Sequence, residues 1–360
     1  MRAAFCLILI LTTSQAFAAA ANSCKTIDLR NRFPPIRNQG HRSGWCYAFS
    51  AVDLVAEAQG VAKKTPLSAF DVATTYIAGS PDEFYAAAKK TIHSPNAVSP
   101  SDNPSMFGLR PSERKGGTTA FAAALYLRQN RMCAESHLKS QDGNNESVDL
   151  THEQIGLASQ YEIFEGHTFI GQQIRQMSGD IERNERTCTT ETIDVALQTA
   201  VGNLATEKLK EATNLACRGS RPFSRPMQVQ LVSNTAGVIE GQTGPFAKSV
   251  DELLSRGRPI GIGYNYCGLQ VPAVEECGHE SIIVGRQFNE KTKACELLVR
   301  NSHGPYCKQY EGLNVRCDTK TPGYFWVDEN ILAKLAFDFT WIETDLKKFG
   351  KPETGAAPKL

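Results

Sequence analysis

Residues 38–51 read NQGHRSGWCYAFSA, a cysteine set between a glycine-bearing turn and an apolar run. From position 46 to 59 the chain (CYAFSAVDLVAEAQ) has neither proline nor glycine and reads as helix, with Gly60 as its stop. Upstream, residues 24–45 carry Pro34-Pro35, Gly40 and Gly44 and read as extended and turning. Cys46 therefore opens a helix. Ser50, Asp53 and Glu57 follow it at helical spacing as one polar stripe, while Ala48, Phe49, Val52, Val55 and Ala56 cover the rest. The helix is expected to be mostly buried, with Cys46 at its N-terminal end on the only wet face.

A thiol at that position sits near the positive end of the helix dipole and close to backbone N–H groups, which favours thiolate over thiol. The same geometry makes an oxyanion hole easy to build from a backbone N–H and an amide side chain, and Gln39 lies seven residues upstream across a turn that can fold it back. A thiol nucleophile also needs a base, normally histidine, and a group to fix the ring's tautomer. Of the histidines at 41, 93, 137, 152, 167, 279 and 303, only His279 opens a strand, in CGHESIIVG. Asn301 ends the next strand, in LLVRNSHG, and two adjacent antiparallel strands would bring these residues together.

These stretches resemble the papain-like cysteine proteases. The resemblance begins at TIDLRNRFPPIRNQG (26–40), continues through GWCYAFSA (44–51), and resumes at Gly116-Gly117 with the helix after it, GHESIIVG (278–285), LLVRNSHG (297–304) and GYFWV (323–327). It implies Cys46 as nucleophile, His279 as general base and acid, Asn301 as the residue orienting the imidazole, and Gln39 as an oxyanion donor. It further implies that Gly116 and Gly117 pair with an extended peptide substrate. The implied fold is papain-like and two-lobed, a helical N-terminal lobe and an antiparallel, β-barrel-like C-terminal lobe with the active-site cleft between them.

The chain departs from the family pattern at several positions. Gly44 and Tyr47 fit the helix signature, but Ser43 replaces a cysteine and Trp45 replaces a small residue. Gln39 stands one residue further from the thiol than the family places it, a difference that a one-residue bulge at 41–43 absorbs. The family has tryptophan shielding the Asn–His hydrogen bond where this chain has His303, which implies weaker shielding or a competing partner, and with it low activity or a shifted pH optimum. Cys46 and His279 lie 233 positions apart (46 to 279), against roughly 130–150 in the family, so about 100 residues are inserted, mostly in 61–115 and 139–250.

Beyond the motifs, the texture supports an α+β class. Helical patterning at 118–130 and, more weakly, near 191–213 precedes the β-rich runs PIGIGYNY (259–266), SIIVGRQF (281–288), ACELLVRN (294–301) and GYFWVD (323–328). Residues 80–115 read as loop with a short helix at 82–90, and 139–250 as a largely helical insertion. The β-rich lobe is expected over about 251–345, all within one domain spanning 19–360.

The first 18 residues have a positive start at Arg2, an apolar run too short to span a bilayer, and small residues Ala16 and Ala18, the pattern of a signal peptide. A secreted or periplasmic protein is expected, without an integral membrane segment and without room before Cys46 for a long inhibitory pro-segment; an insertion serving as a lid is the alternative route of control. The formal charge of +1 gives no basic face for nucleic acid. Eleven cysteines are present, and most of those in the mature chain should pair in an oxidising compartment. Cys277 and His279 form a C-x-H pair, yet zinc needs four convergent ligands and no second pair has suitable spacing. Cys277 is instead expected to pair, with Cys267, in a disulfide closing a loop before the histidine. No cofactor and no metal are expected, and the partner is a protein or peptide substrate. The expected activity is exported cysteine-type peptide hydrolysis through a Cys46 thiolate and His279 imidazolium pair and a thioester, with two alternatives: a catalytically impaired papain-fold binding protein, or a thiol acyl-transferase or amidase acting on cell-wall peptides.

Overall fold

The structure, a computed structural model, describes residues 24–39, 45–77, 92–93, 118–140, 210, 213–233, 244–270 and 277–345. Their strands are β1 (Ile27–Asp28), β2 (Ile92–His93), β3 (Gln228–Ser233), β4 (Ile260–Asn265), β5 (Gly278–Asn289), β6 (Ala294–Arg300), β7 (Arg316–Cys317), β8 (Tyr324–Asp328) and β9 (Ala336–Glu343). The helices are α1 (Cys46–Ala58), α2 (Ala69–Ile77), α3 (Thr119–Gln129), α4 (Gly244–Ser255) and α5 (Glu329–Leu335).

The nine strands form one sheet in the order β2-β3-β9-β4-β5-β6-β8-β7, with β1 added to β5. All pairs are antiparallel except β2 with β3. Helices α1, α2 and α3 pack on one another, and α1 lies against β5, which makes this an α+β fold with a helical layer joined to an antiparallel sheet. The barrel-like closure expected of the second half is corrected here, because the sheet is open. Its end strands, β2 and β7, have two residues each, too few to zip the ends together.

Helix α1 begins at Cys46 and stops where glycine permits. Gly60 adopts φ +73°, its N–H donates to Glu57 O at 2.8 Å, and Val61 N–H donates to Ala56 O at 2.9 Å, so the last carbonyls are satisfied by a left-handed cap. Every α1 residue except Glu57 is buried. This corrects the wet stripe expected along Cys46, Ser50, Asp53 and Glu57. Asp53 is only 4 % exposed and accepts from Arg37 Nη2 at 2.6 Å and from Arg300 Nε at 3.0 Å. The polar stripe is covered by charged partners, which is the condition for burying a carboxylate.

Strand β4 shows why its sequence alternates glycine with larger residues. A Cβ at Gly261 would stand 2.9 Å from Leu54 and 3.0 Å from Thr119, so α1 and α3 rest directly on the strand where it has no side chain. Thr118 caps α3 by accepting from Phe121 N–H at 3.5 Å, and Asn130 ends it in the left-handed region. The 139–250 stretch is not simply helical: among the described residues it contains β3, which pairs with β9 over six residues. The short helix expected at 82–90 and most of the pattern near 191–213 lie outside the described residues.

Four disulfides join Cys24 to Cys295, Cys133 to Cys217, Cys267 to Cys277, and Cys307 to Cys317. The Cys267–Cys277 pairing expected from the sequence is present. Cys46 is the cysteine in no disulfide among the described residues, and Cys188 lies outside them.

Candidate active site

Three segments converge at one end of the sheet. The N-terminal stretch pairs antiparallel with the segment after β6: Gln39 N–H donates to Ser302 O at 2.7 Å, Asn38 bridges His303, and Gly304 N–H donates to Arg37 O at 3.1 Å. Pro34 and Pro35 have no N–H to give to a ladder, and Arg300 takes their carbonyls, Nη1 to Pro34 O at 3.0 Å and Nη2 to Pro35 O at 3.2 Å. Arg300 also donates to Tyr324 Oη at 2.9 Å. Arg37 reaches Leu67 O at 2.7 Å and Glu135 Oε2 at 3.1 Å. The Arg37–Asp53–Arg300 cluster thus ties the N-terminal stretch, α1 and β6 into one buried unit.

On that frame the strand pairing delivers His279 and Asn301 to each other. Ile282 is opposite Arg300 in the β5–β6 ladder, so the start of β5 and the residue after β6 are neighbours. His279 Nε2 lies 2.7 Å from Asn301 Oδ1. The same oxygen accepts from Ser302 N–H at 2.8 Å. A backbone N–H can only donate, so the Asn301 atom facing both groups is the carbonyl oxygen and His279 Nε2 carries the proton. Nδ1 is then the basic nitrogen.

The ring is enclosed by aromatics. Tyr264 and Tyr266 stand edge-on with centroids 5.8 Å and 5.2 Å away, and His303 lies parallel at 4.8 Å with 10° between planes. His279 is 8 % exposed. Burial pulls its pKa from 6.5 down to about 4, with the Asn301 hydrogen bond pulling the other way, so the resting ring is neutral. Burial likewise lifts Tyr266 to about 12.

Cys46 is buried at 9 % exposure. Burial raises the pKa of Tyr264, with the Ser281 hydrogen bond pulling the other way. Gln39, 4 % exposed, accepts through Oε1 from Ser302 Oγ at 2.5 Å, which fixes the amide by its oxygen and makes Nε2 its donor end. The Cys267–Cys277 bridge closes the loop before His279, and Cys307–Cys317 closes one just after His303.

Of the residues singled out in the sequence, Gln39, Asn301 and His279 are joined through Asn301 and Ser302, and Cys46 opens α1, which packs on β5, the strand that carries His279. Gly116 and Gly117 lie outside the described residues, as does the bulge expected at 41–43. Sequence reasoning missed Arg37, Arg300, Tyr264 and Tyr266. Arg300 carried a signal, a lone charge closing the apolar run LLVR. Among the described residues Asp71, Cys133 and Cys217 bring metal-ligating atoms within 4.8 Å of one another. Those two cysteines are bonded to each other, and Asp71 is paired with Arg131 at 2.7 Å. No helix among the described residues is long and apolar enough to cross a membrane.

No protein-family model and no curated protein matches the chain. Several solved structures are similar to it. Pepw from Lactobacillus rhamnosis is 12 % identical, with 91 % of this chain and 83 % of that one covered, at a TM-score of 0.45. The Amb a 11 cysteine protease, a ragweed pollen allergen in its proform, is 14 % identical over 91 % of this chain and 68 % of that one, at 0.40. SERA5E from Plasmodium falciparum is 11 % identical over 86 % and 90 %, at 0.39. At such scores none of them decides the chemistry, which stands on the distances above.

Proposed function

We propose that the protein is a cysteine peptidase that hydrolyses peptide bonds through a thioester acyl-enzyme. The observation that carries this reading is the tautomer lock on His279: Asn301 Oδ1 holds the Nε2–H and leaves Nδ1 as a base, on a strand packed against an α1 that begins with a cysteine outside any disulfide. Cys46 is the nucleophile in this reading. As its sulfur attacks the substrate carbonyl, His279 Nδ1 takes the thiol proton and becomes an imidazolium, and the negative oxygen is received by the Cys46 N–H at the helix start and the Gln39 amide. His279 then protonates the leaving amine. Water, deprotonated by His279, cleaves the thioester and frees the enzyme. Because burial keeps the resting imidazole neutral, the thiol proton moves during attack rather than before it.

Gly116-Gly117 is the proposed backbone edge for the extended substrate. Residues 1–18 are the proposed signal peptide of an exported chain, which agrees with four disulfides. The low-lying His279 and the buried thiol favour one second reading, a papain-fold binding protein whose chemistry is impaired.

Covalent labelling separates the two. The purified protein is treated with a thiol-directed peptidyl epoxide and mapped by mass spectrometry, alongside Cys46→Ala and His279→Ala. Labelling at Cys46 that requires His279 is the expected result. A folded protein whose Cys46 stays unmodified under the same conditions identifies the binder.

A further inference from the structure

The active-site imidazole has a second imidazole on its face. His303 lies 4.8 Å from His279, centroid to centroid, with the planes 10° apart, and Tyr266 edges both rings at 5.2 Å and 6.4 Å. This stack is built by backbone pairing: Asn38 bridges His303, and the hydrogen bonds of Gln39 to Ser302 and of Arg37 to Gly304 hold the residues on either side of it. Asn301, the partner of the His279 Nε2–H, is two positions earlier on the same segment. One short stretch therefore supplies both the hydrogen bond at the ring's edge and the flat group over its face.

The two contacts respond differently to acid. The Asn301 amide does not titrate, whereas an imidazole does, in the range of pH 5 to 8. The proposed reaction needs a positive charge on His279 while the thiol attacks. An uncharged His303 ring over that charge is a neutral, polarisable surface that excludes water. A protonated one is a like charge stacked on it.

Three other titratable groups described near the stack are Tyr266, Tyr264 and Arg37. Tyr266 stays a neutral phenol, its ionisation pushed up to about 12 by burial. Tyr264, edge-on to His279 at 5.8 Å, is raised further by burial. Arg37 is next to the bridging Asn38, but its guanidinium is turned into Asp53 and Glu135.

We propose that His303 is a positioning residue that makes the site acid-sensitive. Uncharged, it holds and shields the His279 ring; protonated, it opposes the imidazolium that attack by Cys46 must create. This inference rests on the peptidase reading for its consequence in catalysis, while its electrostatic core, that the charge on His303 acts on His279, can be tested without it.

Two experiments decide it. In the first, the rate of Cys46 alkylation by iodoacetamide is followed against pH in the wild type and in His303→Phe, with His303→Trp as a second variant that keeps a flat ring. The wild-type profile should carry a step in its acid limb as His303 takes its proton, and both variants should lack that step. Superimposable limbs overturn the proposal. In the second, the His279 ring is titrated by NMR in a Cys46→Ala background, with and without His303→Phe. Removal of the second imidazole should raise the His279 midpoint by about one unit, since a neighbouring positive charge is lost. An unchanged midpoint overturns the proposal even if alkylation behaves as expected. A Cys46 that no reagent modifies would end the peptidase reading, yet the NMR midpoint would still report on His303.

Discussion

Arg300 and Asn301 are consecutive and both are buried, yet the two regions they enter treat charge in opposite ways. Arg300 enters a cluster in which every charge has its counterpart: Asp53 lies between Arg300 and Arg37, and two proline carbonyls and Tyr324 Oη take further donors. Asn301 enters an assembly from which charge is withheld. His279 is held neutral by burial, its proton fixed on Nε2, and its face covered by His303. A buried charge that is fully paired fixes geometry and changes little with pH; a buried base kept neutral stores a capacity to take a proton. The end of β6 thus supplies a rigid frame on one residue and chemistry on the next.

The sharpest way to break this comparison is to unpair the cluster. Arg300→Leu leaves Asp53 and Arg37 to share a cavity built for three groups, and removing one partner of a buried ion pair costs about 3–5 kcal/mol. Chemical denaturation should show a loss of that size, together with weaker Cys46 labelling, because the N-terminal stretch carrying Gln39 is held by the same residue. A loss below about 1 kcal/mol, the scale of a surface pair, would mean that the cluster is not the frame described above.

The next effect belongs to His279. Unfolded, the ring takes its proton near 6.5; folded, near 4. Between those values the unfolded chain binds more protons, so stability rises with pH across the window and is lost as pH falls through it. The contribution is about 2–3 kcal/mol. Urea denaturation of the wild type and His279→Gln at pH 4.5 and pH 7 should show the variant losing less on acidification. Equal losses would show that His279 is not buried as a neutral base.

How much of this was legible beforehand follows from the range of each interaction. Helix α1 was readable from an uninterrupted apolar run with a glycine stop, and Gly60 does adopt the left-handed conformation. Strands β4, β5, β6 and β8 were readable from short apolar runs between turns, and the meeting of His279 with Asn301 from their order. Helix α2 had a local signal that went unread: Ser68 Oγ accepts from Asp71 N–H at 3.1 Å, a cap written as Ser-Ala-Phe-Asp. Strand β9 alternates in AFDFTWIE, but its pairing with β3 joins distant segments, and no local pattern encodes a partner so far along the chain. The covered stripe of α1 was illegible for the same reason. Asp53 looks like a solvent-facing residue until Arg37 and Arg300 arrive from elsewhere.

A third buried assembly sharpens the comparison with the smallest expected effect. Glu280, next to His279, faces Asp338 across Gly263, whose register partners on the two neighbouring strands they are. Thr119 Oγ1 donates to Glu280 Oε2 at 2.7 Å. Burial first, and the Asp338 charge second, push the Glu280 pKa well up; burial lifts Asp338 to about 6. Here the charge opposite a carboxylate is another carboxylate, the reverse of the Arg300 cluster. Both pKa values are raised, so the folded chain binds more protons than the unfolded one between the ordinary carboxylate range and the raised values. Stability falls as pH rises through that window, opposite in sign to the His279 effect. Glu280→Gln keeps an oxygen for Thr119 and removes one of the two like charges. It should stabilise the protein by about 1 kcal/mol at pH 8, and by much less at pH 4, where both carboxyls are protonated in the wild type. A variant that is destabilised at both pH values would show that the Glu280 charge has a favourable partner, and that this pair belongs with the Arg300 cluster rather than apart from it.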